Sequence, residues 1–247
     1  MADRNGLLVP KEYAGPKRLV IGWSQGGHPE PEFYESLLQF MLHDGSPHGR
    51  HMFAGIVTAR SCYIENNRNT DVRAFLATPT DPRDVLLFID TDHRYAADQV
   101  YALLDSIDDE HPVVGGLYFN YWEDGNIYPV WLEDDGMGGL RNCQKIDRNT
   151  IREVQVVGAG FMAIQRRVLD AMAEAHDGSD DWVWFGRDVV KGVRVGDDST
   201  FCLRAAKLGF KVWGNSHVII DHKKGRWLNW GDFERHWIDK GATIPHS

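Results

Sequence analysis

Two aspartates, Asp90 and Asp92, follow directly on a short apolar run, VLLFI at residues 85–89. Such a run after the turn-forming sequence DPRD predicts a central strand covered on both faces. The two acids then lie at the carboxyl end of that strand, where open α/β sheets bind ligands. Side chains two apart on a strand share a face, and two carboxylates this close repel unless a cation separates them. The spacing indicates a site for Mg²⁺ or Mn²⁺, although Asp-x-Asp in a loop often only makes a turn or caps a helix.

The elements around these acids alternate between strand and helix patterns in the first half of the chain. Strands are predicted at 18–23, 52–59, 85–89 and 112–119, and helices at 31–42, 66–77 and 96–107. This alternation predicts a largely parallel, right-handed α/β sheet.

The second half of the chain is less regular. A hairpin or long loop is predicted at 121–147, one glycine-interrupted strand at 154–164, a helix at 167–175 and a loop at 178–195. A helix at 198–208, ended by Gly209, precedes two short strands at 211–213 and 217–220. No repeats or low-complexity segments interrupt this order.

The composition is that of an ordinary globular protein. The chain has 247 residues, which suits one large α/β domain or two small lobes that share a sheet. A formal net charge of −9 argues against broad, sequence-independent nucleic-acid binding. Three widely spaced cysteines without a CxxC pair argue against a zinc site or a disulfide framework. Because no apolar segment suits a signal peptide or a membrane span, we expect a cytoplasmic protein.

Several segments occur in an order typical of one enzyme group. The acids that end the 85–89 strand are followed by VVGGLYF, then VGAGFMAIQRRVLDAM, then GDDSTFCLRAAKLGFKVWGNSHVIIDHKK. Over roughly residues 17–224 this order resembles the metal-dependent glycosyltransferases of the GT-A fold, near the family 2 group known in bacteria and their phages. The NNRNTDVRAFL segment before the metal strand also resembles a helix start of that family.

The resemblance implies a fold and a domain organisation. The fold would be α/β of the GT-A type, a Rossmann-like mixed, mostly parallel central sheet flanked by helices in a single domain over residues 1–247. Residues 17–119 would form the nucleotide-sugar-binding half, 120–224 the acceptor and catalytic half, and 225–247 a C-terminal tail or lid.

The resemblance also implies a metal site. Asp92 would bind the metal directly, while Asp90 would bind it through water or hold the donor ribose. His222, which follows the last apolar strand, is favoured over His217 as the third protein ligand. Mn²⁺ or Mg²⁺ would bridge the two phosphates of a nucleotide-sugar and neutralise the departing diphosphate. His93 would point away from Asp92 and is expected to be incidental.

Other donor contacts are implied by position. The loop after the first strand would meet the nucleobase and ribose, a basic segment would bind the phosphates, and a glycine pair would lie beside the acceptor and the donor sugar. These residues are Trp23, Ser24, Gln25 and Arg68 for the nucleoside, Lys224 and Arg226 for the phosphates, with Lys223 as an alternative, and Gly158 and Gly160 for the sugar.

Asp197 and Asp198 open the 198–208 helix. As plain structure they would cap the helix and favour its dipole, which is worth about 1 kcal/mol. By resemblance, one of them would be the general base that deprotonates the acceptor hydroxyl, with Asp198 the better candidate. Asp197 stands where the family often has glutamate, so the choice between the two stays open.

Aromatic residues flank this helix on both sides in the sequence. Trp182, Trp184 and Phe185 would form a platform for the acceptor. The tryptophans of the tail would either anchor it to the sheet or cover the donor as a lid, with anchoring expected for Trp237.

The predicted activity is transfer of a sugar from a nucleotide-sugar, with a UDP-sugar as the favoured donor, to an acceptor hydroxyl with inversion. Three alternatives stay open: a retaining glycosyltransferase, a nucleotidyltransferase, and a non-catalytic nucleotide- or carbohydrate-binding protein. The loop at residues 24–28 has no nearby basic residue, which counts against a nucleotidyltransferase. The acceptor, which would be a glycan, a lipid-linked sugar, a protein or a modified base in phage DNA, is left open, as are the donor sugar and the oligomeric state.

Overall fold

A computed structural model of the chain describes residues 17–24, 28–78, 81–121, 125–179, 181–225 and 227–239. The helices of this part are α1 (Pro31–Asp44), α2 (Ile64–Leu76), α3 (Ala97–Asp105), α4 (Arg166–Ala175), α5 (Asp197–Lys207) and α6 (Trp230–Asp239). The strands are β1 (Leu19–Ser24), β2 (Phe53–Ala59), β3 (Val85–Ile89), β4 (His93–Arg94), β5 (Val113–Leu117), β6 (Phe119–Tyr121), β7 (Ile127–Pro129), β8 (Leu132–Asp134), β9 (Leu140–Asn142), β10 (Ile151–Val154), β11 (Phe161–Gln165), β12 (Val189–Val190), β13 (Val193–Arg194), β14 (Val212–Ile219), β15 (Asp221–Lys223) and β16 (Trp227–Leu228).

A seven-stranded sheet forms the centre of the single domain. Its strand order is β10-β14-β5-β11-β3-β1-β2. Five strands run in one direction, and β10 and β11 run against their neighbours. The predicted mixed, mostly parallel α/β sheet is therefore confirmed.

Apolar layers cover both faces of this sheet. Along β3, Leu86 and Phe88 belong to one buried cluster with residues of α2, α4 and α5. The alternate residues Val85, Leu87 and Ile89 belong to a second cluster with residues of α1 and α3. All five side chains are at most 1% exposed, which confirms the prediction of a central strand.

The predicted single strand at 154–164 is wrong. The chain forms β10 at one edge of the sheet and then β11 near its centre, with residues 155–160 between them outside the sheet. In this connection Val156 bridges to Leu132, and Val157 packs so closely on Gly115 that a Cβ there would lie 2.4 Å from it. Tertiary pairing thus divides one apolar run between two strands.

Two other predictions in the second half have different outcomes. The two short strands expected at 211–213 and 217–220 are one strand, β14, whose pairing with β5 shifts register between Asn215 and Ile219. The hairpin expected within 121–147 is present as two hairpins, β6–β7 and β8–β9. Helix α5 ends as predicted, because Gly209 adopts φ +87° directly after its C-cap.

The described part of the tail folds back on the domain. β15 pairs with both β16 and β4, and α6 packs on β7. The indole N–H of Trp237 donates to the carbonyl of Ile127 at 3.0 Å, which is the anchoring expected for this residue. The cysteines Cys62, Cys143 and Cys202 are unpaired, as predicted. No helix within the described ranges has both the length and the apolar composition of a membrane span.

Candidate functional site

The chain turns away from the sheet directly after β3. The N–H of Asp90 donates to the carbonyl of Gly160 at 2.9 Å, and β4 then pairs antiparallel with β15. This pairing places His93 opposite His222, although the two lie far apart in sequence. The alternation of side chains along a strand predicted that His93 points away from Asp92. Residues 90–92 do not continue β3, so this alternation does not apply to them.

The predicted pair Asp92 and His222 is in direct contact. Nε2 of His222 lies 3.2 Å from Oδ2 of Asp92, and its Nδ1 lies 2.7 Å from the carbonyl oxygen of Phe119. Lys224, predicted to bind phosphate, donates from Nζ to the same carboxylate oxygen at 3.0 Å. Burial alone would raise the pKa of Asp92, but the hydrogen bond from His222 and the nearby His93 and Lys224 hold it well below its usual range.

His93 is not the incidental neighbour that the sequence predicted. Its ring is fully buried, with its centroid 4.4 Å from those of both His222 and Tyr118. One ligand atom from each of Asp92, His93 and His222 lies within 4.8 Å of the others. Burial and the adjacent His222 lower the pKa of His93 to about 3, so the imidazole is neutral.

Asp90 lies in a different set of contacts. It is absent from the metal-ligand cluster found among the described residues, and its carboxylate accepts two hydrogen bonds from Nη2 of Arg68 at 2.8 and 3.1 Å. Nη1 of Arg68 donates to Asp197. Burial opposes the charge of Arg68, yet Asp197 and Asp90 hold the pKa of its guanidinium above its usual range. The predicted donor residue Arg68 thus links the end of β3 to the start of α5.

The acidic pair begins α5, whose N-cap is Gly196 rather than an aspartate. Asp197 is occupied by Arg68, whereas Asp198 accepts a hydrogen bond at Oδ1 from the N–H of Ser199 at 2.7 Å. Burial and the charge of Asp197 raise the pKa of Asp198 to about 6. Both carboxylates lie in the first turn, where the helix dipole favours negative charge.

Part of the predicted donor loop lies outside the described residues. Gln25 of this loop and Arg226 of the basic segment are outside the described residues, so their predicted roles stay predictions. Ser24 is buried at the carboxyl end of β1, and its hydroxyl donates to Oδ2 of Asp71 at 3.2 Å. Trp23 is half-buried and packs edge-on against Phe33, with centroids 5.3 Å apart.

The glycine pair makes room for protein side chains. A Cβ on Gly158 would lie 2.2 Å from Oη of Tyr118, and one on Gly160 would lie 2.3 Å from Nε2 of His93. The N–H of Gly160 also donates to Oη of Tyr118 at 3.0 Å. The close approach inferred from the sequence is therefore present towards side chains of the chain itself, and the predicted contact of Gly158 and Gly160 with the sugar stays a prediction.

The predicted acceptor platform is wrong for two of its three members. Trp184 is 4% exposed and Phe185 is fully buried, where it stacks on Phe201 with centroids 4.8 Å apart. Trp182 is half-buried, and its indole N–H donates to Asn66 at 2.7 Å. Trp184 and Phe185 are core of the domain because residues of α2, α4 and α5 pack in the same buried cluster with them.

Asn69 is a positioning residue that the sequence analysis did not identify. Its amide nitrogen donates to the carbonyls of Glu65 and Phe185, both at 2.7 Å. Its amide oxygen accepts from the N–H groups of Trp184 at 3.0 Å and Phe185 at 3.3 Å. The only signal for it was its place in the NNRNTDVRAFL segment, one residue after Arg68.

Comparisons with known proteins concern the fold. No family model and no curated protein matches the sequence. Among solved structures, the crystal structure of A197 from STIV is similar at 17% identity with a TM-score of 0.52, over 84% of this chain and 86% of that one. A crystal structure of GalNAc-T7 with UDP, GalNAc and Mn²⁺ is similar at 9% identity with a TM-score of 0.45, over 83% of this chain and 43% of that one.

The fold class predicted from the sequence is confirmed. The described residues form a single α/β domain with a mixed, mostly parallel seven-stranded sheet flanked by helices, and A197 shares this fold. At 17% identity, the similarity to A197 concerns the fold alone. A TM-score of 0.45 is too low for the similarity to GalNAc-T7 to indicate the chemistry of this chain.

Proposed function

We propose that the protein is a metal-dependent glycosyltransferase that moves a sugar from a nucleotide-sugar to an acceptor hydroxyl, with a UDP-sugar as the first donor to test. One observation carries the proposal. Asp92 and His222, 130 residues apart, meet at the carboxyl end of the central strand β3, and Arg68 connects this end to the acidic start of α5. Glycosyl transfer needs a cation that stabilises the leaving diphosphate and a carboxylate that deprotonates the acceptor hydroxyl, and these residues offer both.

The side chains fit a divalent cation. The carbonyl of Phe119 can only accept, so Nδ1 of His222 donates to it. Nε2, which faces the carboxylate of Asp92, is the nitrogen that would bind the cation in place of its hydrogen bond to Asp92. Oxygen and imidazole ligands together suit Mn²⁺. When bound, the ion would supply Lewis-acid stabilisation of the charge on the departing diphosphate. Lys224, which already reaches Asp92, is near enough to add a charge-assisted bond to a phosphate.

Asp198 is the proposed general base. Asp197 is engaged by the guanidinium of Arg68, whereas burial and the neighbouring Asp197 raise the pKa of Asp198 to about 6. A base with a pKa near the working pH combines availability with driving force for proton transfer. Asp198 would take the proton of the acceptor hydroxyl as that oxygen attacks the sugar carbon in line, so the product would have inverted stereochemistry.

We assign donor binding to residues 17–119 and acceptor binding with catalysis to residues 120–224. Within the donor half, Trp23 and Ser24 end β1 at the same carboxyl edge of the sheet as Asp90 ends β3. Gln25 and Arg226 complete the proposed contacts to the nucleoside and the phosphates. The three unpaired thiols fit a reducing compartment, and we therefore propose that the enzyme works in the cytoplasm.

Calorimetric titration of UDP and GDP, each with and without Mn²⁺, tests the proposal. We expect Mn²⁺-dependent binding of one nucleotide to the wild type, and its loss in Asp92→Ala but not in the exposed control Asp134→Ala. If neither nucleotide binds the folded wild type, or if binding ignores both Mn²⁺ and Asp92, the proposal is wrong.

Product analysis then separates the alternative activities. Turnover of the recognised nucleotide-sugar should release nucleoside diphosphate, and proton NMR of the product should show inversion at the sugar carbon. Release of pyrophosphate instead would identify a nucleotidyltransferase, and retained configuration would exclude Asp198 from the role of base in a single displacement.

A further inference from the structure

His93 and His222 face each other across two short strands. They are directly opposite in the antiparallel pairing of β4 with β15. Directly opposite residues project from the same face of a ladder, which explains why the rings lie 4.4 Å apart at a tilt of 48°. His222 contacts the carboxylate of Asp92, and Asp92, His93 and His222 offer ligand atoms within 4.8 Å of one another.

Both imidazoles turn the same ring nitrogen, Nδ1, towards a backbone carbonyl. Nδ1 of His222 lies 2.7 Å from the carbonyl oxygen of Phe119, and Nδ1 of His93 lies 3.3 Å from that of Asp221. A carbonyl oxygen can only accept, so each Nδ1 carries a proton and each Nε2 is the nitrogen left to bind an ion. Nε2 of His222 donates to Asp92 when no ion is bound and would give up that proton on binding. Histidines that bind metals almost always donate their other N–H in this way, because that bond fixes the ring and raises its basicity.

The lone pair on Nε2 of His93 has no hydrogen-bond partner in the part of the chain that the structure describes. Nε2 of this fully buried residue makes no hydrogen bond to any residue that the structure describes. Buried polar atoms without a partner are rare in folded proteins, and each of them needs a reason. Gly160 keeps the space around this atom open, because any Cβ at that position would lie 2.3 Å from Nε2.

The other acid of the DTD sequence is engaged elsewhere. Both oxygens of Asp90 accept hydrogen bonds from Arg68, whose side chain is 5% exposed. Moving Asp90 away would take from the buried guanidinium one of the two carboxylates that it contacts, Asp90 and Asp197, which is unfavourable. Asp90 is thus committed to the arginine, while His93 offers the ligand atom that Asp90 does not.

We propose that this chain holds its divalent cation with Asp92, His93 and His222, and that Asp90 pairs with Arg68 instead of ligating. The inference rests on the proposed function for what the ion does, whereas ion binding itself is measurable without substrate. Two imidazoles and one carboxylate form a donor set that favours Mn²⁺, Co²⁺ or another transition ion over Mg²⁺. Three protein ligands also leave room for diphosphate oxygens on the same ion.

Metal binding to the wild-type chain is the first test. Calorimetric titration should show Mn²⁺ binding with a Kd at least about tenfold below that of Mg²⁺, as expected for a nitrogen-containing donor set. Pulsed EPR of the Mn²⁺-loaded protein should detect nitrogen couplings from two imidazoles. A single coupled imidazole, equal affinity for the two ions, or no Mn²⁺ binding at all would overturn the proposed ligand set.

Variants then identify the ligands. His93→Gln should weaken Mn²⁺ binding by about 10- to 100-fold, the range typical of losing support at a metal site, and should leave one coupled imidazole. Asp90→Asn should change the affinity by less than about threefold, because Asp90 would not be a ligand. His217→Gln, at an exposed position on β14, is the matched control. Two imidazole couplings in His93→Gln, or equal losses in His93→Gln and Asp90→Asn, would disprove the assignment.

The outcomes separate this inference from the proposed function. Mn²⁺ held by two imidazoles without any nucleotide binding would support the ligand set and refute the glycosyltransferase. Mn²⁺-dependent nucleotide binding with one coupled imidazole would do the reverse. The EPR experiment on the wild type shows how many imidazoles bind Mn²⁺ without any variant. A His93→Gln protein that failed to fold would therefore leave this test of the ligand set intact.

Discussion

Nη2 of Arg68 lies 2.8 Å from one carboxylate oxygen of Asp90 and 3.1 Å from the other. The same guanidinium donates to Asp197, the first residue of α5. One buried cation therefore joins the end of the central strand β3 to the helix that carries Asp198. This contact sets the position of the proposed base relative to the proposed metal ligands, because both segments are bound to the same planar group.

Removing this cation should destabilise the domain. Arg68→Met would leave Asp90, Asp197 and Asp198 without a counter-charge, and we expect a loss of about 3–5 kcal/mol in the free energy of unfolding at pH 7.5. The loss should shrink towards pH 4.5, because Asp198, whose pKa burial and Asp197 raise to about 6, is protonated there and no longer adds to the repulsion. Urea unfolding at the two pH values measures both quantities.

The control for Arg68 is a surface ion pair. Lys211 and Glu153 are 2.7 Å apart with half-exposed side chains, so Lys211→Met should change the free energy of unfolding by less than about 1 kcal/mol. An Arg68→Met protein as stable as Lys211→Met would show that the buried network contributes nothing.

The pH dependence of turnover should report Asp198. The pKa of this carboxyl is raised to about 6, so it is protonated and unable to accept a proton below that pH. We expect kcat/KM to be constant above about pH 6.5 and to fall roughly tenfold per pH unit below pH 6. A pH–rate profile at saturating Mn²⁺ with the nucleotide-sugar found by titration measures this.

The two aspartates of α5 should then differ. Asp198→Asn should lower kcat by about 10²- to 10⁴-fold, the usual contribution of a positioned base, and abolish the acidic limb of the profile. Asp197→Asn, which retains an acceptor for Arg68, should keep an acidic limb but move it to lower pH, because the charge of Asp197 helps to raise the pKa of Asp198. A normal kcat in Asp198→Asn with donor still bound would remove Asp198 from the mechanism.

Asp71 should make stability fall as pH rises. This residue is 1% exposed, and burial raises the pKa of its carboxyl to about 7. Between an unfolded value of 3.8 and that folded value, the folded state binds the extra proton, so stability is lost as pH rises, by up to about 1.4 kcal/mol per pH unit. Urea unfolding of the wild type and Asp71→Asn from pH 4.5 to 8 isolates the effect.

Asp71→Asn keeps an oxygen that can accept from the hydroxyl of Ser24 and removes the titration. We therefore expect the variant to lose less stability with rising pH and to exceed the wild type at pH 8 by about 2 kcal/mol or more. The exposed variant Asp134→Asn should follow the wild type. Parallel curves of the free energy of unfolding against pH for all three proteins would mean that Asp71 ionises in the folded state without loss of stability.

Asn69 should hold the 181–188 segment on α2. Asn69→Ala would leave the N–H groups of Trp184 and Phe185 buried without their acceptor, and we expect a loss of about 2–4 kcal/mol in the free energy of unfolding. Amide exchange at Trp184 and Phe185 should also become faster. Asn66→Ala, which removes one contact to the half-buried Trp182, should lose less than half as much. Equal losses would show that Asn69 has no special role.

Local sequence was enough to predict the elements that bury a regular pattern. Residues 85–89 are apolar without interruption after a turn sequence, and they are the fully covered strand β3. The start of α5 at the acidic pair and its end before Gly209 also follow from residues adjacent in the chain. The contact between Asp92 and His222 was reached through a family resemblance and is present in the structure.

Long-range packing decided which side chains meet. His93 joins His222 because β4 pairs with β15, and Asp90 leaves the metal cluster because Arg68 of α2 reaches it. Trp184 and Phe185 are core because Asn69 and the surrounding helices enclose their loop. Periodicity depends on neighbours in the chain, so sequence alone determined the strands and helices. The choice between ligand, ion pair and core depends on partners in other elements, and only the tertiary structure decided it. These partners are 22 residues apart for Arg68 and Asp90, 115 for Asn69 and Trp184, and 130 for Asp92 and His222.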